Sequence, residues 1–335
     1  MLQTQLGSGS RYGVIGYGSW ATTLVGQLAG KGIHVNWYIR NPEVLECVRE
    51  EGYNPKYVRD LELDTSMLNP VSDINEVVSS SDILILAVPS AYLADALSLI
   101  TVGLDGKFVV SAVKGIIPGR YVTVLEYVHE VFGLPFSQMG VISGPTHAEE
   151  VSRGNLSYIT VACTSEENAG FIAGSFRSSH LNVNITKDIY GVEYAAVLKN
   201  IYAIASGIAS GLGYGDNFLA VLVSRCAAEM VHFLTSGHPC DRNPADRAYL
   251  GDLLVTCYSN YSRNRRLGQF IGRGFSVKSA LNEMTMVAEG YFGAECIHHL
   301  CDASGIELPI AETVYNILYC KAKPRKAMAE LAGRL

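Results

Sequence analysis

The chain is expected to form an α/β domain built on a doubly wound sheet, followed by an all-helical domain. Three observations lead there. A short apolar strand, "YGVI", breaks into a glycine turn and runs straight into a helical pattern. Apolar strand-like runs then alternate with helical segments as far as about residue 189. Beyond that point only helical periodicity is found. Alternation of this kind builds a parallel sheet covered by helices on both faces. At 335 residues the chain can bury two separate cores.

Taken in order, residues 1–10, "MLQTQLGSGS", carry no periodic pattern and read as a flexible tail. They lack a basic segment followed by an apolar one, so no signal peptide is expected. The first domain, 11–189, opens with a strand over Arg11–Ile15, and "ATTLVGQLAGKG" reads as a helix ended by Gly30 or Gly32. "IHVNWYI", "DILILAVP", "GKFVVSAVK", "MGVISGP", "SYITVAC" and "LNVNIT" are further strands, with helices such as "AYLADALSLI" and "YVTVLEYVHEVF" between them. The second domain, 190–335, contains "GVEYAAVLKNIYAIASGIASGLG", "NFLAVLVSRCAAEMVHFLT", "PADRAYLGDLLVTCYS", "RNRRLGQFIGRG", "SVKSALNEM" and "IELPIAETVYNILYCK", all with helical spacing.

Composition narrows the function. Hydrophobic residues make up 48% and charged residues 17%, which marks a packed globular chain. The net charge of −6 argues against sequence-independent nucleic-acid binding. Eight scattered cysteines with no C-x-x-C pair suit reduced thiols in a cytoplasmic protein and suggest neither disulfides nor a metal site. No uninterrupted run of eighteen apolar residues exists, so no membrane span is expected.

Gly16-Tyr17-Gly18-Ser19-Trp20-Ala21 fits G-x-G-x-x-G/A between a strand and a helix. Gly16 permits the tight turn, Gly18 lets backbone approach a pyrophosphate, and Ala21 is small enough for helix–strand packing. This is the dinucleotide signature of a Rossmann-like domain. The second strand ends in Arg40-Asn41, where NAD-selective sites usually carry a carboxylate for the ribose 2′-OH. Arg40 could stack on adenine or accept a 2′-phosphate, so the cofactor is NAD or NADP, with neither selected.

Three basic or polar turns follow at strand or helix ends. Lys114 closes "FVVSAVKG", at the strand edge where ligands bind, and suits an electrophile or anion contact as well as it suits an ordinary loop. "VISGPTH" ends a strand at Ser143-Gly144-Pro145, with Thr146 placed to cap a helix starting at His147. In "YSNYSRNRRLGQF", Ser262 is a natural N-cap and Arg263 and Asn264 fall in the first helical turn. Arginine opposes the helix dipole there, a misfit resolved by a phosphate docked at that helix start.

The segment "GVEYAAVLKNIYAIASG" places Val197, Ile201, Ile204 and Ile208 on one helical stripe. Lys199 lies on the other side, among Val192, Ala195, Ala203 and Ser206, with no second charge beside it. Small residues there would leave room for a ligand and keep the ammonium partly buried. Burial and a neighbouring cation such as Lys114 would lower its pKa and make it a proton acceptor. A lysine snorkelling along alanines fits this helix equally well. Asp252 and Thr256, at i and i+4, could hold that lysine or accept a substrate hydroxyl.

The ordered set "GYGSWATTL", "SAVKG", "SGPTHAEEV", "GVEYAAVLKNIYAIASGIASGLGYGDN", "DLLVTCYSNYSRNRRLG" and "VAEGY" resembles the bacterial-type NAD(P)-dependent glycerol-3-phosphate dehydrogenases. The resemblance covers nearly the whole chain after the first ten residues. It implies interconversion of sn-glycerol 3-phosphate and dihydroxyacetone phosphate, feeding phospholipid synthesis, by a metal-free, cytoplasmic homodimer. It implies Lys199 as proton acceptor and Lys114 as a lysine touching substrate and cofactor. Gly144, Thr146, Asp252, Ser262, Arg263 and Asn264 match the substrate site. Ser19, Trp20, Arg40, Ala148, Arg263, Val287 and Glu289 match cofactor contacts. The chain departs from the family's commonest pattern at Ala21, where glycine is usual, and at Thr146, where many relatives have serine. Two other readings are a ketopantoate or 3-hydroxyacid reductase, disfavoured by the "SRNRR" phosphate grip, and a non-catalytic dinucleotide sensor.

Overall fold

The computed structural model describes residues 6, 7, 9–284 and 286–335. Among the described residues ten strands are formed: β1 Tyr12–Ile15, β2 Val35–Tyr38, β3 Leu68–Val71, β4 Ile83–Leu86, β5 Phe108–Ser111, β6 Ile116–Ile117, β7 Val122–Thr123, β8 Met139–Ser143, β9 Ser157–Cys163 and β10 Leu181–Thr186. Eight of them make one sheet in the order β10-β9-β8-β5-β4-β1-β2-β3. From β3 to β8 every pairing is parallel, with Ile15 opposite Tyr38 on one side and Leu86 on the other. The carboxyl ends of β1, β2 and β8 therefore share one edge, and the glycine turn leaves β1 where the strand order reverses, the position at which such sheets bind ligands.

The sheet is not wholly parallel, as the alternation had suggested. β9 runs antiparallel to β8, with Ser143 opposite Thr160 and Gly140 opposite Cys163. The helix between them, Ala148–Ser152, has five residues, about 7.5 Å of rise, too short to carry the chain back along a seven-residue strand. The eleven-residue helix Glu166–Phe176 is long enough, and β10 pairs parallel to β9. β3 escapes sequence reading because Pro70 interrupts it; it survives as the sheet edge, where a missing N–H is tolerated.

The chain divides into two compact units: 1–113 with 124–189, and 114–123 with 190–335. The last passage between the units falls at Ile189–Tyr190, and Lys114–Thr123 lies with the second unit, apart from the residues on either side of it. The reason is local: β6 and β7 form a hairpin, and Ile116 is fully buried in the helical core rather than in the sheet. Tyr121 adds a ring contact to His299, centroids 4.3 Å apart. The expected tail of residues 1–10 lies partly outside the described residues, and within them Leu6 is buried against the sheet core with its N–H 3.5 Å from Asn168 Oδ1. Gly7 and Gly9, by contrast, are exposed.

In the first unit the core is Val14, Trp37, Ile83, Ile85, Val110 and Ile142, the apolar faces of the parallel strands. In the second it gathers around the helix Ile189–Gly211, which is buried without a break from Val192 to Ala209. One helix, Asp216–Gly237, is long and apolar enough to cross a membrane by length and composition. Here its Leu222, Cys226 and Met230 face the helical core, and buried Glu229 caps the helix Pro309–Leu318, accepting from Ile310 N at 2.8 Å and Ala311 N at 2.9 Å.

Candidate active site

In the second unit Lys199, Asp252 and Lys114 come together. Lys199 Nζ donates to Asp252 Oδ1, and Lys114 Nζ lies 3.7 Å from Oδ2 of the same carboxylate. Lys199 and Asp252 are 4% and 1% exposed at the side chain, against 18% for Lys114. Burial pushes Lys199 down to about 7; the Asp252 charge opposes this and the Lys114 charge adds to it. Asp252 opens the helix Asp252–Tyr258 directly after a π-helical turn, Arg247–Gly251, a bulge of the kind often found at functional sites. Thr256, one turn on, donates to Asp252 O and has its hydroxyl 3.4 Å from Oδ1, which fixes the carboxylate's orientation.

A second chain of hydrogen bonds ties the surrounding elements. Asn200 Nδ2 donates to Lys114 O at 2.9 Å, Asn264 Nδ2 donates to Asn200 Oδ1 at 2.9 Å, and Gly290 N donates to Asn264 Oδ1 at 2.9 Å. Asn200, the residue after Lys199, thus anchors Lys114, a role with no sign in the local sequence pattern. Asn264 is buried, and its side chain is built into this network.

The expected helix start at Ser262 is present. Ser262 Oγ accepts from Arg265 N at 3.2 Å, no acid stands in the first turn, and Ser262 is buried. Arg263 is exposed, with its guanidinium 3.5 Å from Val287 O, which brings two sequence-predicted cofactor contacts together. Glu289 opens the next helix, Glu289–Ser304. Among the described residues the N–H groups of Arg263 and Asn264 have no acceptor, so this helix start is ready for an anion.

The small residues around Lys199 do not leave open room, as the helical phase had suggested. Ser206 donates to Cys257 O at 3.0 Å, and Ala195, Ala203 and Ser206 are fully buried. Further along, Gly207 and Gly211 face Gly268 and Gly272 of the arginine helix, backbone to backbone; a Cβ on Gly211 would lie 2.5 Å from Gln269 O. These glycines allow close helix approach and bring the Ser262 helix start beside the lysine helix.

In the first unit Gly16 adopts φ +123°, and a Cβ there would lie 2.6 Å from Ala87 O. Only glycine meets both demands. The space in front of Gly18 is open, with nothing within 4 Å of where a Cβ would sit. The helix Ser19–Ala29 has no side-chain cap and no acid in its first turn. Trp20 stands half-buried in that turn, and Ala148 O accepts from Thr23 Oγ1 of the same helix at 3.3 Å. Arg40 is exposed, with no hydrogen bond or ion pair among the described residues. A dinucleotide fits this site: glycines where a Cβ would obstruct, and Tyr17 and Gly18 N–H groups that have no acceptor among the described residues and can meet a pyrophosphate.

Gly144 also has positive φ, +125°, because β9 passes close behind it; a Cβ would lie 3.0 Å from Tyr158 O. Thr146 is not a helix cap. Its hydroxyl donates to Gly144 O at 3.1 Å, and the short helix begins at Ala148 with His147 in the N-cap position and no side-chain capping bond. The Gly144 turn closes on itself through that hydroxyl.

Comparison with known proteins follows the same division. Residues 12–169 match the model of the NAD-dependent glycerol-3-phosphate dehydrogenase N-terminus, and residues 188–329 match that of its C-terminus. A glycerol-3-phosphate dehydrogenase [NAD(P)+] of Chlorobium phaeobacteroides is 35% identical over 323 residues, 96% of this chain and 97% of the relative. The crystal structure of glycerol-3-phosphate dehydrogenase from Coxiella burnetii superposes with a TM-score of 0.88 at 28% identity, covering 96% of this chain and 98% of that one. A ketopantoate reductase from Ralstonia eutropha shares the fold, with a TM-score of 0.62 at 14% identity over 95% of this chain and 99% of that one.

Proposed function

Because the chain belongs to the NAD-dependent glycerol-3-phosphate dehydrogenase family, we propose that its buried Lys199–Asp252 pair moves the proton in that family's reaction. The enzyme interconverts sn-glycerol 3-phosphate and dihydroxyacetone phosphate with NAD(P). The observation that carries the assignment is a lysine brought to about 7 in direct contact with a buried carboxylate and near a second lysine.

When bound, the nicotinamide would supply the hydride chemistry at C2, and the residues of this chain manage the proton and the charge. Lys199 gives a proton to the C2 oxygen during ketone reduction and takes it back during oxidation. A group titrating near 7 serves both directions at neutral pH. Asp252 holds the ammonium by its hydrogen bond, and its charge keeps Lys199 from falling further. Lys114 stabilises negative charge on the same substrate oxygen. The substrate phosphate is gripped by the exposed Arg263 guanidinium and by the unpaired N–H groups of the Ser262 helix start. Ser262 and Asn264 shape that grip from within the protein. Gly144 and Thr146 are assigned to the substrate by family resemblance. Ser19, Trp20, Arg40, Ala148, Val287 and Glu289 complete the cofactor contacts by family resemblance. The eight free cysteines suit a cytoplasmic setting, and the family resemblance supports a homodimer, which light scattering of the purified protein tests.

The test is Lys199→Ala against dihydroxyacetone phosphate and NADH or NADPH. Turnover should drop about 10²–10⁴-fold with the cofactor Kd preserved. Folded Lys199→Ala enzyme with near-normal turnover would remove the assignment.

A further inference from the structure

The glycine turn is held from behind by two side chains that play no part in the chemistry above. Trp37 Nε1 donates to Gly16 O at 2.6 Å, and Asn54 Nδ2 donates to Tyr17 O at 2.9 Å. These carbonyls belong to consecutive peptides. In a planar trans peptide the C=O and the next residue's N–H point in opposite directions. Fixing the two carbonyls therefore fixes the directions of the Tyr17 and Gly18 N–H groups. Neither N–H has an acceptor among the described residues.

Asn54 is fully buried, and its amide is completely used. Nδ2 donates to Tyr17 O and to Thr22 Oγ1 at 2.8 Å, while Oδ1 accepts from Lys56 N at 3.1 Å and Tyr57 N at 3.2 Å. Two donors and two acceptors exhaust an asparagine, so the orientation of the amide is dictated by its partners. Oδ1 closes an Asx turn around Pro55, and Nδ2 reaches out of that turn to the glycine loop. The ring of Tyr57 stands edge-on to that of Tyr17, centroids 6.3 Å apart. Buried polar side chains cost stability unless satisfied, and this one spends its donors on the loop that faces the phosphates.

We propose that Asn54 is a positioning residue for the dinucleotide: it sets the plane of the Tyr17–Gly18 peptide so that the Gly18 N–H is presented to the pyrophosphate before the cofactor arrives. Trp37 does the same for the Gly16–Tyr17 peptide. Without these bonds the cofactor must order the turn itself, and that cost appears as lost affinity. The proposal rests on the glycine turn being the dinucleotide site.

The experiment titrates NADH and NADPH against wild type, Asn54→Ala and Trp37→Phe, with thermal unfolding and amide hydrogen exchange of the cofactor-free proteins in parallel. Folded Asn54→Ala should bind the preferred cofactor about 5–10-fold more weakly, the effect of one or two lost hydrogen bonds. Its KM for cofactor should rise more than its KM for dihydroxyacetone phosphate. The Thr22 amide, which donates to Gly18 O at 2.9 Å, should exchange faster. A folded Asn54→Ala that melts earlier yet binds cofactor within twofold of wild type has lost only stability and overturns the proposal. If Asn54→Ala does not fold, Trp37→Phe, which keeps an aromatic ring and removes one donor, carries the same comparison and the same twofold limit. Wild-type protein that binds neither cofactor overturns the reading of the turn itself; wild type that binds, with unaffected variants, overturns only the positioning role.

Discussion

Lys199 and Asp252 are 53 residues apart in sequence, and each is the other's main compensation for burial. The carboxylate cannot leave without stranding two lysines, and the ammonium cannot leave without exposing Asp252 to Lys114 alone. Breaking such a pair from either side is expected to cost about 3–5 kcal/mol.

The pH dependence follows from who pulls on Lys199. Oxidation of glycerol 3-phosphate needs the neutral amine, so kcat/KM should rise as pH passes about 7; reduction needs the ammonium and should fall over the same range. Removing the Asp252 charge with Asp252→Asn should move the midpoint down, because that charge raises Lys199. Lys114→Met should move it up, because Lys114 lowers it. Residual activity of each variant across pH 5–10 reads the shifts, and equal midpoints would contradict this assignment.

Gly268→Ala should destabilise the second unit. Its Cβ would press into Ile204 O and the Gly207 backbone, which cannot swing aside as a side chain can. A loss of about 1–3 kcal/mol in urea unfolding is expected, with a higher KM for substrate as the Arg263 helix start shifts. Gly170→Ala, in the helix Glu166–Phe176 with nothing within 4 Å of the new methyl, should instead stabilise by about 0.5–1 kcal/mol.

Arg40 stands exposed just after β2 with no hydrogen bond or ion pair among the described residues, and a role in accepting a 2′-phosphate can be tested directly. Arg40→Asp should lower kcat/KM with NADPH more than tenfold and leave NADH less affected. Parallel initial rates with the two cofactors measure the change in ratio.

Stability should vary with pH through Glu229. Burial pushes its carboxyl up to about 7, against the pull of the Ile310 and Ala311 N–H groups. The unfolded chain gives up that proton near 4.5 while the folded chain keeps it, so stability should fall as pH rises from about 4.5 to 7. Lys199 works the other way: lowered in the folded state, it adds stability as pH rises from about 7 toward 10.5. Urea midpoints of wild type and Glu229→Gln separate the two, since Gln cannot titrate and should flatten only the lower arm.

The parallel strands and the long second-unit helices were legible because each is a single unbroken pattern, alternating or helical. Gly16, Gly18 and Ser262 were legible because their chemistry is local: a turn or a cap is decided by a few neighbours. Lys199 was a balanced case until other motifs stood beside it, because helical phase shows which way a side chain points but not what covers it. The alanine side was misread for that reason, since Ala195, Ala203 and Ser206 are fully buried and Ser206 donates to Cys257 O. Asn54, Asn200 and Glu229 left no trace, because a buried polar residue is defined by partners far away in sequence. The reversed β9 and the Pro70 edge strand were hidden because direction and edge position belong to the sheet and not to the strand.

The hairpin that carries Lys114 has a consequence for how this enzyme can be recombined. The chain passes between its two units at Val113–Lys114, Thr123–Val124 and Ile189–Tyr190. A gene cut once at residue 190 would separate the lysine at 114 from the lysine and aspartate it serves. A helical unit grafted onto a different nucleotide-binding partner would keep its three-charge cluster only if the ten residues 114–123 travelled with it as a second, discontinuous exon-like piece. Any natural chimera of this architecture must therefore have exchanged two segments together, or rebuilt the missing cation from its new partner.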